Sequence, residues 1–166
     1  KVLITNKDDA GCIKKAKSVK IPHKIIRGKD FSQKELFELE IINTLINYDV
    51  ELIVMAGWMK IVTPFFINKF KNKIINIHPS LLPAYKGGSA IKDSLSNGSK
   101  ITGCSVHFVE EEVDSGSLIM QAALSILYND NIETLSKKIQ ILEHMILPHS
   151  ISHAGFLIRS KFMGSY

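Results

Sequence analysis

The sequence has little of what marks a secreted, membrane-spanning or multidomain protein. Its 166 residues contain only two cysteines, Cys12 and Cys104, which are too few and too far apart for a disulfide framework. We see no apolar run as long as a membrane span and no signal-peptide pattern. Internal repeats, low-complexity tracts and linkers are also missing. We therefore expect one cytoplasmic globular domain, residues 1–166, that has no membrane partner.

The charge of the chain favours small anionic ligands over nucleic acid. The formal net charge is +5, and a hydrophobic content of 45% is enough for a proper core. The lysines are scattered along the sequence and do not form a basic patch interleaved with aromatic residues, so we expect no nucleic-acid partner. A positive surface instead attracts molecules that carry phosphate or several carboxylates.

Strand-like and helical patterns alternate in the first half of the sequence. The predicted strands are Val2–Asn6, His23–Ile26, Leu52–Met55 and Ile74–Ile77. The predicted helices are Ala10–Val19, a segment from the capping-box pattern Ser32–Glu35 to Tyr48, a short helix from Pro64, and Ser89–Ser96. This β-α-β order implies parallel strands with right-handed crossovers.

In the second half of the sequence, strands and helices no longer alternate. Thr102–Val109 and Leu118–Ile126 are rich in β-formers, which predicts an antiparallel or mixed edge. A long helix should follow, capped by Asp130 with Glu133 and kinked or ended by Pro148. Its predicted buried stripe is Leu135, Ile139, Leu142 and Ile146. The predicted fold is α/β, with a Rossmann-like open sheet that is mostly parallel and has a mixed C-terminal part.

One segment cannot continue as regular strand or helix: Asn76-Ile77-His78-Pro79-Ser80-Leu81-Leu82-Pro83. Pro79 removes a backbone donor, so the preceding strand should end here. Asn76 and His78 are two residues apart, which places both side chains on one face of a strand. An amide and an imidazole at a strand end suit acyl transfer, because both can donate to an oxyanion and the imidazole can move a proton. A lone histidine here would more often bond only to backbone; the adjacent amide favours catalysis.

Asp114 is a candidate carboxylate partner for this imidazole. The neighbouring Glu110–Glu112 are typical of an acidic loop in solvent, whereas Asp114 begins an Asp-Ser-Gly turn that fixes the direction of its carboxylate. A carboxylate near an imidazole stabilises the protonated ring and fixes its tautomer. Spacing alone leaves this pairing open.

The remaining reactive side chains favour structural roles. Cys104 lies in a β-rich run, which predicts a core thiol. His144, His149 and His153 have no accompanying thiolate or clear third ligand, so we interpret them as surface histidines and expect no metal site.

Several segments together resemble one enzyme family. They are Asn76–Pro83, Lys86-Gly87, Gly103–Val109, Val113–Gly116 with Gln121, and Glu143-His144 before Pro148. The set is similar to the phosphoribosylglycinamide formyltransferase family, the folate-dependent formyltransferases of purine synthesis, over most of the chain. Pro79 stands where the deformylase branch of the superfamily tends to carry a second histidine, which favours this member.

The resemblance implies an enzyme that uses 10-formyltetrahydrofolate as cosubstrate, glycinamide ribonucleotide as acceptor and no metal, as a monomer or a homodimer. It assigns catalysis to Asn76, His78 and Asp114, and contact with the ribonucleotide to Glu143. It assigns folate contacts to residues of two loops: Met59, Lys60, Ile61, Val62, Val109, Glu111 and Asp114. Lys60 stands where the family often has arginine, which keeps the charge but loses a fork of donors.

The sequence also departs from the family pattern. The family opens with a strand and a glycine-serine-asparagine loop that binds phosphate at a helix N-terminus. This sequence begins at what resembles the second strand, so the first β-α unit is missing from it: either residues precede Lys1 in the whole protein, which we favour because a core strand is hard to lose, or the chain is a damaged paralogue. Gly88-Ser89-Ala90 differ from the family too. The alternatives are formyltetrahydrofolate deformylase, a methionyl-tRNA or amino-sugar formyltransferase, and a non-catalytic folate-binding paralogue.

Overall fold

The computed structural model describes residues 1–160, and residues 161–166 of the predicted domain lie outside the described residues. The chain divides into two compact units, so the single-domain prediction stays a prediction. The first unit comprises Lys1–Glu51 and Val62–Lys69, and the second comprises Leu52–Ile61 and the chain from Phe70 onward. No helix within residues 1–160 is long and apolar enough to cross a membrane.

The first unit is built on a two-stranded parallel sheet. Its elements are β1 (Leu3–Thr5), α1 (Gly11–Ser18), β2 (His23–Ile25), a 3₁₀ turn (Gly28–Asp30), α2 (Lys34–Asn47) and α3 (Pro64–Lys69). β1 pairs with β2 in parallel, as the β-α-β order predicts. Pro64 opens α3, as predicted from its missing N–H and its fixed φ.

The second unit is built on a four-stranded mixed sheet. Its elements are β3 (Ile53–Met55), β4 (Ile74–His78), α4 (Ala90–Ser96), β5 (Ile101–Phe108), β6 (Leu118–Ser125) and α5 (Ile132–Arg159). The strand order is β3-β4-β5-β6; β3 and β4 are parallel, and the other two pairs are antiparallel. The predicted α/β class with a mixed C-terminal part is confirmed. The strands lie in two sheets, a division that apolar runs do not specify because strand partners are chosen by tertiary contacts.

The core of the second unit lies between one face of the sheet and α5. Alternate strand residues pack there against the apolar stripe of the helix: Ile75, Ile77, Cys104, Val106 and Phe108 with Leu135, Ile139 and Ile146. This packing confirms the predicted stripe and the predicted core thiol. Because side chains alternate along a strand, the residues between these point to the opposite face of the sheet, and they are Asn76, His78, Ser105 and His107.

Two predicted helix caps are wrong, and the alternative in which Pro148 ends α5 is wrong as well. The capping box at Ser32 fails because α2 starts at Lys34, after a Gln33 N-cap without a side-chain bond. The reciprocal cap of α5 joins Asn131 to Thr134, while Asp130 instead accepts from the Leu127 N–H. Pro148 does not end α5, which continues to Arg159 because its buried stripe outweighs one lost hydrogen bond.

Candidate active site

β4 brings Asn76 and His78 to the same face and ends at His78, as the sequence predicts. Both flanking positions, Ile75 and Ile77, are buried against the core, which fixes the orientation of the strand. The His78 residue is only 5% exposed, whereas Asn76 is partly buried. Pro79 follows at once and directs the chain away from the ladder.

The turn after β5 carries Asp114 to His78. Asp114 Oδ2 lies 3.3 Å from His78 Nδ1 and accepts the Gly87 N–H at 2.8 Å. Asp114 has φ of +52°, in the left-handed region that aspartate tolerates better than most residues. The side chain is 9% exposed, so little solvent competes for these contacts. The structure thus brings together the pair that spacing alone left open.

Both ring nitrogens of His78 have partners. Nε2 lies 2.8 Å from the Tyr85 carbonyl oxygen, which can only accept, so Nε2 carries a proton in this contact. Nδ1 faces the Asp114 carboxylate, which also accepts. The two contacts are satisfied together by a ring that is protonated at both nitrogens. Tyr85 itself has φ of +55°, a strained conformation for a bulky residue of the kind found at functional sites.

His107 is a member of the cluster to which the sequence analysis gave no role. It pairs with Asn76 across the β4–β5 ladder, and its Nε2 lies 3.4 Å from Asn76 Nδ2 and 3.5 Å from Asp114 Oδ1. Its Nδ1 lies 2.7 Å from the Phe108 carbonyl oxygen. Burial lowers the pKa of His107, while the Phe108 carbonyl and Asp114 act in the opposite direction. The signal that would have found it is the strand register, which needs the tertiary pairing.

Side chains from β5 and β6 hold the loop that follows His78. The Ser105 hydroxyl donates to the Ser80 carbonyl at 2.6 Å and accepts the Leu82 N–H at 3.0 Å. Gln121 Nε2 donates to the Leu82 carbonyl at 3.0 Å and to the Ser105 hydroxyl oxygen at 2.8 Å. These bonds fix the backbone that leads to the Tyr85 carbonyl.

The predicted folate loops begin near this cluster. Met55 of β3 lies opposite Asn76 in a parallel pair, so the segment after β3 leaves the same edge of the sheet. Met59 and Ile61 of that segment are 77% and 64% exposed, and Lys60 is exposed as well. Val62 belongs to the other compact unit.

The second predicted folate loop contains Asp114 itself. Val109 starts this loop, and its N–H donates to the Ile74 carbonyl at 2.9 Å, which ties the loop to β4. Glu111 is exposed, and the adjacent Glu112 pairs with Lys86 at 2.9 Å.

Glu143 lies on α5 and has no bond to the cluster among residues 1–160. Burial raises the pKa of its carboxyl. Burial and the nearby Glu143 charge together raise the pKa of Cys104 to about 12, and the Cys104 side chain faces the core side of the sheet.

The arrangement is suited to stabilising a negative oxygen and moving a proton. The Asn76 amide and the His78 ring lie on one face of β4 with the Asp114 carboxylate beside the ring, so both side chains can donate to an oxygen that develops negative charge. Neither Cys104 nor Ser80 is placed as a nucleophile, because the thiol faces the core and the Ser80 hydroxyl donates to the Ala84 carbonyl.

Comparison with known proteins gives consistent matches. The family described as "Formyl transferase" matches residues 1–151. A phosphoribosylglycinamide formyltransferase of Bacillus subtilis is 38% identical over 150 residues, which are 90% of this chain and 77% of that protein. A trifunctional purine biosynthetic protein adenosine-3 of Chironomus tentans is 43% identical over 90% of this chain.

Solved structures agree with these matches. A phosphoribosylglycinamide formyltransferase from Bacillus halodurans superposes with a TM-score of 0.87 and 36% identity, covering 94% of this chain and 79% of that one. The chain spans 11% and 15% of the length of two trifunctional relatives, from Chironomus tentans and Gallus gallus. Because the family match includes most of the sequence and all four residues of the cluster, the chain belongs to the formyl transferase family.

Proposed function

We propose that the chain transfers the formyl group of 10-formyltetrahydrofolate to the primary amine of glycinamide ribonucleotide. The observation that carries this proposal is the 3.3 Å contact between Asp114 and His78, with Asn76 on the same strand face. Support also comes from the Bacillus subtilis relative, whose name states this activity. A cytoplasmic location remains part of the same prediction.

The reaction needs no covalent enzyme intermediate. The amine nitrogen of the ribonucleotide attacks the formyl carbon, and a tetrahedral oxyanion forms. Asn76 Nδ2–H and the protonated His78 ring donate to that oxygen. A preorganised donor of this type lowers the barrier by roughly 3–4 kcal/mol. The bond from the formyl carbon to the folate nitrogen then breaks, and the proton released by the amine passes to that nitrogen.

Asp114 has two tasks in this scheme. Its charge keeps the His78 ring doubly protonated, and through water it relays the proton from the attacking amine to the leaving nitrogen. The His78 Nε2–H is donated to the Tyr85 carbonyl in the structure. We infer that this hydrogen bond is exchanged for one to the oxyanion, which requires the ring or the Tyr85–Gly87 segment to shift.

Binding of the two substrates is proposed for the residues that the family resemblance assigns to it. Met59, Lys60, Ile61, Val62, Val109 and Glu111 contact the folate, and Glu143 contacts the ribonucleotide. Exposed Met59 and Ile61 offer apolar surface for an aromatic ring system. Lys60 and the net charge of +5 favour anionic substrates.

The test is a formyl-transfer assay on the wild-type chain and on His78→Ala and Asp114→Ala. We expect each variant to lose a factor of at least about 10²–10³ in kcat while circular dichroism stays unchanged. His153→Ala, which removes an exposed imidazole from α5, is the matched control and should keep wild-type rates.

Different outcomes separate the alternatives. Release of formate without an amine acceptor would indicate a deformylase. Folate binding without turnover in any version of the chain would indicate a non-catalytic paralogue. Wild-type rates in His78→Ala would overturn the assignment of the site.

A further inference from the structure

We propose that His107 is a positioning residue for the Asn76 amide. In this arrangement His107 Nε2 accepts one N–H of Asn76 and thereby directs the second N–H toward the reacting oxygen. The inference rests on the proposed function, because it assigns Asn76 the oxyanion of formyl transfer. It adds a fourth member to a centre that the sequence predicted as three residues.

The fold places the two side chains as direct neighbours. Asn76 and His107 are paired residues of the antiparallel strands β4 and β5, so both point to the same face of the sheet. Asn76 Nδ2 lies 3.4 Å from His107 Nε2. The β5–β6 ladder is irregular at this point: Val106 pairs with Met120, but His107 pairs with Leu118, so Ile119 is extra. Such bulges often occur beside active sites, where they set the direction of a side chain.

The backbone decides which nitrogen of His107 accepts. The Phe108 carbonyl oxygen lies 2.7 Å from Nδ1 and can only accept, so Nδ1 carries the proton. In the neutral ring, Nε2 then has a free lone pair. His107 is 2% exposed, and its burial lowers its pKa and favours this neutral form. The neutral Nδ1–H tautomer therefore presents an acceptor to Asn76.

The Phe108 carbonyl is itself held firmly. An ideal Cβ on Gly116 would lie 1.9 Å from the Phe108 oxygen, so only glycine allows the turn to pack here. The Ser117 carbonyl accepts the Phe108 N–H at 2.9 Å. The acceptor that selects the His107 tautomer is thus fixed from two sides.

Two titratable groups influence the protonation of His107. Asp114 Oδ1 lies 3.5 Å away and favours a second proton on the ring, whereas the His78 charge disfavours it. A doubly protonated His107 would turn its Nε2–H to Asp114 and repel the Asn76 N–H. The geometry of the amide therefore depends on a neutral His107.

The chain allows a matched pair of substitutions. In His107→Gln, the side-chain amide reaches the Nε2 position, where its oxygen can accept from Asn76. In His107→Asn, the shorter amide reaches only the Nδ1 position, which keeps the bond to Phe108 but removes the acceptor for Asn76. The two variants differ by one methylene and separate the acceptor from the rest of the ring.

We expect His107→Asn to lower kcat roughly tenfold to a hundredfold, with both KM values within about twofold, since a misaligned donor acts mainly in the transition state. His107→Gln should retain most of kcat. ¹⁵N spectra of the wild type near pH 7.5 should show His107 as the Nδ1–H tautomer. The Asn76 side-chain amide resonances should move in His107→Asn and much less in His107→Gln.

The wild-type assay is done first, so that failure of the proposed function is seen independently of the variants. Given an active wild type, equal losses in both variants, or none in His107→Asn, would overturn the positioning role. An Nε2–H tautomer in the wild type would overturn it as well, and this measurement decides the matter even if His107→Asn does not fold.

Discussion

The carboxyl group of Glu143 is partly buried, which is unfavourable for its ionised form. Burial raises the pKa of its carboxyl above the ordinary value of 4.5, so the ionised form is less favourable in the folded chain than in the unfolded one. A group of this kind supports folding fully below its unfolded pKa, and its contribution is lost as the pH rises through the folded value. At neutral pH, Glu143 therefore destabilises the fold.

We predict that Glu143→Gln raises the melting temperature at pH 7 and that this gain vanishes below about pH 4.5. Under the proposed binding role, the same substitution should raise KM for the ribonucleotide roughly tenfold or more, because the proposed hydrogen bond to a charged group is lost, while kcat changes little. Differential scanning calorimetry across pH and initial-rate kinetics measure the two effects.

Glu133→Gln is the control for this substitution, because Glu133 lies on the same helix and forms an exposed ion pair with Lys137 at 2.7 Å. It should leave KM unchanged and shift the free energy of unfolding by no more than about 0.5 kcal/mol. A Glu143→Gln variant with unchanged KM would remove Glu143 from the proposed binding site.

Local spacing was enough to predict part of the cluster. Asn76 and His78 share a face because strand periodicity acts over two residues, and Pro79 marks the strand end. Asp114 was predicted as a fixed carboxylate from its turn, but its partner came only from the family resemblance. His107 was quoted in a motif without a role, because its neighbours depend on the pairing of β4 with β5, which spacing along the chain does not contain.

Elements were predicted better than their ends. Apolar runs and helical stripes are set by burial, so all six strands and five helices were found at nearly the right places in residues 1–160. Caps depend on single hydrogen bonds, and several nearby residues compete for them. Asp130, for example, bonds to Lys138 at 2.7 Å and to the Leu127 N–H, which leaves the reciprocal cap to Asn131 and Thr134.

The turn between β5 and β6 depends on one glycine. A Cβ on Gly116 would lie 1.9 Å from the Phe108 carbonyl oxygen. This oxygen belongs to the backbone, so the clash can be relieved only by a shift of the turn or of β5. We predict that Gly116→Ala destabilises the fold by about 1–3 kcal/mol, as overpacking does. It should also lower kcat, because the same turn carries Asp114. Urea unfolding and the formyl-transfer assay measure these effects.

Gly155→Ala is the opposite case and serves as the control. Gly155 lies within α5, and a Cβ there would meet nothing within 4 Å. Alanine should stabilise the helix by roughly 0.5–1 kcal/mol relative to glycine and leave the rate unchanged. If Gly116→Ala behaved like Gly155→Ala, the close packing of the turn on Phe108 would be wrong.

At the scale of the whole molecule, a buried histidine and two ion-paired carboxylates should change the stability of the fold in different pH ranges. Burial lowers the pKa of His107 from 6.5, so the unfolded chain takes up its proton first as the solution is acidified. Hydrogen bonds to Arg27 and Lys138 lower the pKa values of Asp8 and Asp130 from 3.8, so their contributions are lost only at lower pH. Acid should therefore weaken the fold first through His107 and, at lower pH, through Asp8 and Asp130, while protonation of Glu143 acts in the opposite direction between these two steps.

We predict that the free energy of unfolding falls as the pH drops below 6.5, with a slope of at most about 1.4 kcal/mol per pH unit from His107. The sign follows from proton uptake: between the folded and unfolded pKa values of His107, the unfolded chain binds more protons.

The fluorescence of Trp58, the single tryptophan, reports on the unit that contains β4 and β5. Urea titrations from pH 7.5 to pH 3 should show both steps in the wild type and only the lower one in His107→Gln. Parallel curves for the two proteins between pH 6.5 and pH 5 would mean that His107 accepts its proton as easily when folded, and burial would then not favour the neutral acceptor proposed for Asn76.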